Sequence, residues 1–160
     1  MKLYYSKGAC SLVIRIIINE LGLKSDYEAV DLRSKKTEHG SDYLSINPKG
    51  AVPALELDNK QLITENVIIQ QYLVDTFKAT NLCPPLGDIN RYIVLGWSNY
   101  VSGELHKSFS NLFNPNIPQE MKENIFIPAI KTKLGFVNKQ LSKTAFLAGN
   151  DFSMPDAYLF

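Results

Sequence analysis

Long apolar runs, an excess of charge of one sign and a cysteine framework are all missing from this sequence, and each absence removes a class of function. The best apolar stretch, LVIRIIINELG (12–22), is interrupted by Arg15 and falls short of the roughly 20 residues that a bilayer span needs. No secretory leader is read, because MKLYY runs straight into turn residues where such a leader has an apolar stretch of about 7–15 residues. Without that stretch, GAC (8–10) is not read as a lipoprotein cleavage site. The 17 basic and 16 acidic residues leave a net charge of +1 and are scattered along the chain. That balance offers no bulk attraction to nucleic acid or to an anionic membrane, and no nucleic-acid motif is present. The two cysteines, Cys10 and Cys83, lie far apart, which points to a reducing, cytoplasmic setting. Lys7 occupies the position three before Cys10, so there is no Cys-x-x-Cys pair and a self-resolving dithiol oxidoreductase is disfavoured. No metal site is expected.

What is present suits a packed core: 45% of the 160 residues are apolar and 11% aromatic, enough for one mid-sized domain or two small ones. KLYYS (2–6) reads as a strand and KGA as a turn. Residues 11–21 are apolar nearly all round, predicting a helix buried on more than one side, with Ser11 as N-cap and Gly22 as its stop. DYEAVDL (26–32) reads as a second strand, which makes a βαβ unit with parallel strands. The polar stretch 33–47 predicts a loop with a short, irregular helix. A Pro-Gly turn, the strand PALEL, the turn DNK and the strand QLIT then predict a hairpin. Residues 66–77 form an amphipathic helix with Val67, Ile68, Tyr72, Leu73 and Phe77 on or near one face. The order βαβ then ββα predicts a four-stranded, thioredoxin-like α/β domain over residues 1–78.

KATNLCPPLGD (78–88) loses all periodicity and reads as a linker, taken as 79–88. The remainder, 89–160, reads as an all-helical domain. One long helix is predicted over 89–113, broken by NPNIP. A second, over 119–143, carries Ile127, Ile130, Leu134, Val137 and Leu141 at helical spacing and a kink at Pro128. SMPDAYLF opens a last helix, with Ser153 as N-cap and Asp156 completing a capping box.

Four places carry candidate chemistry. Cys10 precedes a helix, where the dipole and unpaired N–H groups would stabilise a thiolate; it reads equally well as a small buried hydrophobe. Pro53 in AVPAL is either an ordinary strand-start proline or a cis residue whose predecessor leaves its backbone unpaired for an extended peptide. TEN (64–66) sits where a strand becomes a helix: the N–H groups there suit a carboxylate and Glu65 an ammonium, together the zwitterionic end of an amino acid, although a plain helix cap explains it too. In WSNYVSGELHKSF, the spacings of Asn99, Gly103, His106 and Ser110 place them on one helical face beside an apolar stripe of Val101, Leu105, Phe109 and Leu112, as in a polar cleft wall. A lone helical histidine is otherwise most often incidental. His39 reads as solvated.

Taken together, MKLYYSKGACSL, NPKGAVPAL, TEN opening a helix, NY…ELHK and FSMPDAYLF make the chain resemble the bacterial beta-class glutathione S-transferases from Met1 to Phe160. The resemblance implies a thioredoxin-like glutathione-binding domain followed by a helical domain, here incomplete, since family members continue for several helices beyond DAYLF. It implies that Cys10 contacts the glutathione sulfur and can form a mixed disulfide with it, and that Lys35 lies near the glycine carboxylate. It further implies that Val52, before a cis Pro53, pairs its backbone with the cysteinyl part, and that Glu65 and Asn66 hold the γ-glutamyl group. Asn66 stands where Ser or Gly is common; its backbone N–H survives and its amide can still bind a carboxylate. Asn99, Gly103 and His106 match a helical wall of the site, with His106 near the thiol. The implied activity is transfer of the glutathione thiol to small electrophiles, with glutathione-dependent thiol–disulfide exchange through Cys10 and no metal. A homodimer is implied by the family alone. The alternatives are a glutathione-binding protein without efficient turnover and a purely structural, dimerising scaffold.

Overall fold

The alternation of Leu3 and Tyr4 in β1 (Lys2–Tyr5) does not separate an inside from an outside: both side chains are buried, so the strand is covered on both faces. The computed structural model describes all residues, Met1–Phe160, as two units, Met1–Thr80 and Asn81–Phe160.

In the first unit β1 runs parallel to β2 (Asp26–Asp31), and α1 (Leu12–Glu20) makes the crossover between them. Its Ile14, Ile17 and Ile18 are wholly buried, each worth about 1.5–3 kcal/mol relative to exposure. Gly22, at φ +62°, ends the helix as expected. Ser11 does not cap it. Its backbone is already helical, and its Oγ accepts from the Ser6 N–H (3.1 Å) and donates to the Ser6 carbonyl (3.2 Å), tying the helix entry to the end of β1.

β4 (Ala54–Glu56) and β5 (Leu62–Thr64) form the expected hairpin, with β4 antiparallel to β1. The polar stretch 33–47 holds one element the sequence did not reveal, the two-residue strand β3 (Lys36–Thr37) antiparallel to β2. The sheet therefore has five strands, in the order β3-β2-β1-β4-β5, not four. The short helix is α2 (Tyr43–Ile46), capped by Asp42 accepting from the Leu44 N–H at 3.0 Å. Tyr43 is fully buried and packs with Tyr4, Val30, Val52 and Ala54.

α3 (Asn66–Thr76) packs against α1. Its buried stripe is Asn66, Ile69, Gln70, Leu73 and Val74. Of the predicted face only Leu73 is buried, while Ile68 and Phe77 are about half exposed. Apolar residues lie all round this helix, so hydropathy alone could not choose the inward side, and two polar residues occupy it.

In the second unit the region read as linker contributes buried Leu82 and Cys83, with the Leu82 carbonyl accepting from the Met154 N–H at 3.1 Å. The predicted long helix is three pieces: α4 (Ile89–Asn99), a π-helical segment Tyr100–His106, and α5 (Ser110–Phe113). The second predicted helix is also divided, into α6 (Gln119–Met121), a π-helical segment Lys122–Phe126, and α7 (Ile127–Leu141) with Pro128 in its first turn. The three segments run on without a break, and Pro128, which has no N–H to donate, lies just past the π-helical segment, the kind of local irregularity that accompanies a proline inside a helix. Of the α7 stripe, Ile130 and Val137 are buried while Leu134 and Leu141 are exposed. The core of this unit gathers Val101, Leu105, Val137 and Leu147. α8 (Met154–Leu159) begins at the predicted box: Asp156 Oδ2 accepts from the Ser153 N–H and Oγ, each at 2.9 Å, and its Oδ1 accepts from the Leu147 N–H at 2.8 Å. No helix is long and apolar enough to cross a membrane.

Candidate functional site

The turn from Asn47 to Pro53 is the hub of the first unit. Gly50 takes φ +60° and its N–H donates to the Asn47 carbonyl at 2.8 Å. Tyr43 Oη and Asn47 Nδ2 both donate to the Ala51 carbonyl at 2.8 Å, pinning the backbone immediately ahead of Val52. The Val52–Pro53 peptide bond is cis.

Three predicted residues converge on this turn. Cys10, half-buried in the turn two residues before α1, donates its thiol to the Val52 carbonyl at 3.7 Å. Lys35 Nζ donates to the Gly50 carbonyl at 2.7 Å. Glu65 reaches it through Lys49, whose Nζ lies 2.6 Å from Glu65 Oε1 and 3.2 Å from Thr64 Oγ1. Lys49 was missed in the sequence because nothing separates it from any other exposed lysine. Lys35 and Glu65 both have a left-handed backbone, φ of +56° and +72°, at a cost of about 1–3 kcal/mol for a residue with a Cβ; Lys60 and Lys78, in turns outside the site, share it, so it does not by itself mark the site. Glu65 holds this conformation as the residue entering α3, so its carboxylate stands outside the helix while the N–H groups of the first turn stay without intrahelical partners.

Asn66 has a different task from the one expected of its amide. It is buried, with Nδ2 donating to the Cys10 carbonyl at 2.7 Å and Oδ1 accepting from Gln70 Nε2 at 3.0 Å. The side chain is therefore turned inward as a strut, and only the Asn66 backbone N–H is left for a ligand. Gln70 went unnoticed because a polar residue on a buried stripe carries no pattern.

The electrostatics of Cys10 also depart from the expectation of a stabilised thiolate. Burial pushes its pKa up and outweighs the lowering by the Asn66 amide; the Glu65 charge raises it further. The resting group is the neutral thiol, consistent with its donation to a carbonyl oxygen.

In the second unit Asn99 ends α4, and Gly103 and His106 lie in the π-helical segment. All three are exposed. The widened turn adds a residue to the path between Asn99 and His106, so the single face inferred from α-helical spacing does not hold across it. His106 stacks at a tilt on Tyr158, with ring centroids 5.8 Å apart, and desolvation holds its pKa below the ordinary histidine value, so it is neutral at pH 7.

Residues 1–75 match the family described as "Glutathione S-transferase, N-terminal domain". Over all 160 residues the chain is 44% identical to glutathione S-transferase GstA of Escherichia coli O157:H7, and it is 33% identical to glutathione S-transferase GST-4.5 of Xanthomonas campestris pv. campestris. Each match covers 100% of this chain and 79% of the relative. Among solved structures, the ternary complex of BphK, a bacterial glutathione S-transferase, superposes with a TM-score of 0.94 at 46% identity. A sphingomonad glutathione S-transferase complexed with glutathione superposes with a TM-score of 0.93 at 40% identity. Both cover 99% of this chain and 79% of the solved one. The beta-class enzyme of Sphingomonas chungbukensis likewise gives 0.93.

Proposed function

The chain belongs to the glutathione S-transferase family and its close relatives are named as transferases, and from that premise we propose that its first unit binds glutathione along the Asn47–Pro53 turn, with the tripeptide sulfur beside Cys10. The observation that carries the reading is the convergence of one thiol, one strand-start backbone and one helix N-terminus, joined by the Cys10–Val52 and Asn66–Cys10 contacts. The ligand chemistry follows from the groups present. The γ-glutamyl carboxylate takes the N–H groups of the first turn of α3, including that of Asn66, and its ammonium takes Glu65, displacing Lys49. The cysteinyl backbone pairs with Val52 ahead of Pro53, and the glycine carboxylate takes Lys35.

A neutral Cys10 favours transfer as the main reaction. Bound glutathione gives up its thiol proton to solvent, and its thiolate accepts a hydrogen bond from the Cys10 S–H. It then attacks a small electrophile, forming a C–S bond as the leaving group departs with its electron pair. Exchange is the second reaction. Deprotonated Cys10 attacks the glutathione sulfur of a mixed disulfide, expelling the other thiol, and a second glutathione thiolate then displaces Cys10 to give oxidised glutathione. The balance is one mixed disulfide plus one glutathione giving one free thiol plus oxidised glutathione. A reducing, cytoplasmic setting supplies glutathione as the thiol. A homodimer is proposed as the assembly, to be read by light scattering.

The test is retention on immobilised glutathione together with turnover of an aryl halide. Both are expected. Retention without turnover makes the protein a binding module, and the absence of retention overturns the reading.

A further inference from the structure

Gln70 is fully buried on the inward face of α3, between Ile69 and the Leu73–Val74 pair. An apolar residue of that volume would pack there without cost, whereas an amide must be satisfied or is penalised. Gln70 is only half satisfied: Nε2 donates to Asn66 Oδ1 at 3.0 Å, while Oε1 has no partner. A buried orphan of this kind calls for a reason, and the one bond Gln70 makes supplies it.

We propose that Gln70 is a positioning residue that locks the Asn66 amide so that it presents N–H, and not oxygen, to Cys10. The logic is one of donors and acceptors. The Cys10 carbonyl accepts at 2.7 Å, so Asn66 must show it Nδ2. Asn66 Oδ1 then points inward and needs a donor, and Gln70 Nε2 is that donor. Were the Asn66 amide to turn over, oxygen would face oxygen at Cys10. The relay runs from the core of α3 to the turn ahead of α1 and fixes the cysteine against the helix N-terminus proposed to hold the ligand. It also bears on the thiol itself, because the Asn66 amide lowers the Cys10 pKa against the upward push of burial and of the Glu65 charge. The inference rests on reading Cys10 as the residue beside the glutathione sulfur, but its test does not use glutathione.

Cys10 alkylation by iodoacetamide, followed by peptide mass from pH 6 to 10, is compared for the parent, Gln70→Met, Asn66→Gly and the double variant. Gln70→Met keeps the volume and exchanges one buried orphan for another, Gln70 Oε1 for Asn66 Oδ1, so the thermal midpoint stays close to the parent's. At pH 8 its Cys10 rate falls about three-fold, and that of Asn66→Gly about ten-fold, as expected when the amide dipole held beside the thiol by its bond to the Cys10 carbonyl is misplaced or lost. The double variant matches Asn66→Gly alone, because Gln70 acts only through Asn66. A stable Gln70→Met protein with an unshifted profile, or single effects that multiply in the double variant, overturns the proposal. Loss of glutathione retention by the parent would leave this outcome untouched, so the two readings fail separately.

Discussion

Replacing Gly50 with alanine separates backbone strain from the role of Lys35. Gly50 sits at φ +60°, and a Cβ there would lie 3.0 Å from Leu44 Cδ2 and 3.3 Å from both Cε and Nζ of Lys35. The left-handed conformation costs an L-residue about 1–2 kcal/mol, opposed by about 0.4–1 kcal/mol from the stiffer unfolded chain. The neighbouring atoms are ends of flexible side chains and can move, so they add little. The net is a loss of about 1 kcal/mol, which in a domain of this size lowers Tm by about 4–8 °C. Moving the lysine also breaks its bond to the Gly50 carbonyl. The KM for glutathione should then rise about two- to five-fold, as for a single exposed ionic contact, with kcat at saturation unchanged. Gly22→Ala is the control: φ is +62° and nothing lies within 4 Å of the added Cβ. It should show the same fall in Tm by calorimetry and no change in KM. If both variants leave Tm untouched the strain argument is wrong; if KM moves no more in Gly50→Ala than in Gly22→Ala, the assignment of Lys35 is wrong.

Three further outcomes follow. Cys10→Ala should lose disulfide exchange while staying on immobilised glutathione with affinity changed less than about two-fold, since it removes only the contact at the sulfur and leaves the proposed contacts at Lys35, Val52, Glu65 and the Asn66 N–H; undiminished exchange would contradict its role. Lys2→Met should cost about 1–2 kcal/mol at pH 7, because it leaves the largely buried Glu28 carboxylate without the ammonium 2.9 Å away. Burial pushes the Glu28 pKa up, but hydrogen bonds from Lys2 and Thr37 bring it below the usual value. The stability it contributes is therefore present above the unfolded carboxylate pKa, near 4.3, and fades as pH falls through the lower folded value; the Tm loss in Lys2→Met should shrink at acid pH, and an equal loss at pH 7 and pH 3 would refute the pairing. The His106 ring should titrate by NMR below the ordinary value near 6.5, contributing stability above that pH which is lost as pH falls through its folded midpoint; a midpoint above 6.5 would mean an unrecognised acidic partner.

Most of the architecture was readable because it is written in short-range patterns. Gly22 stopped α1, Asp156 closed the box at α8, and the turn between two apolar runs announced the β4–β5 hairpin. What escaped depends on tertiary context. β3 is two residues of polar chain recruited by pairing to β2. The inward face of α3 is set by what it packs on, so Gln70 and Asn66 went in while Ile68 stayed out. The π-helical segments leave no mark in hydropathy, yet they shift the register between Asn99 and His106. The candidate site divides the same way. Cys10, Lys35, Val52, Pro53 and Glu65 all gather about one turn; residue type and position made Cys10, Val52–Pro53 and Glu65 candidates beside a plain structural reading, and only the family resemblance picked out Lys35. The inward strut made by Asn66, the Lys49–Glu65 pair and the upward push on the Cys10 pKa arise from burial and neighbours that no spacing encodes.

The most direct measurement is the mass of the protein before and after incubation with oxidised glutathione at pH 8. One added glutathione, mapped to Cys10 and released by excess reduced thiol, is the predicted result. No adduct, or an adduct only on the buried Cys83, would contradict the claim that the tripeptide sulfur lies beside Cys10.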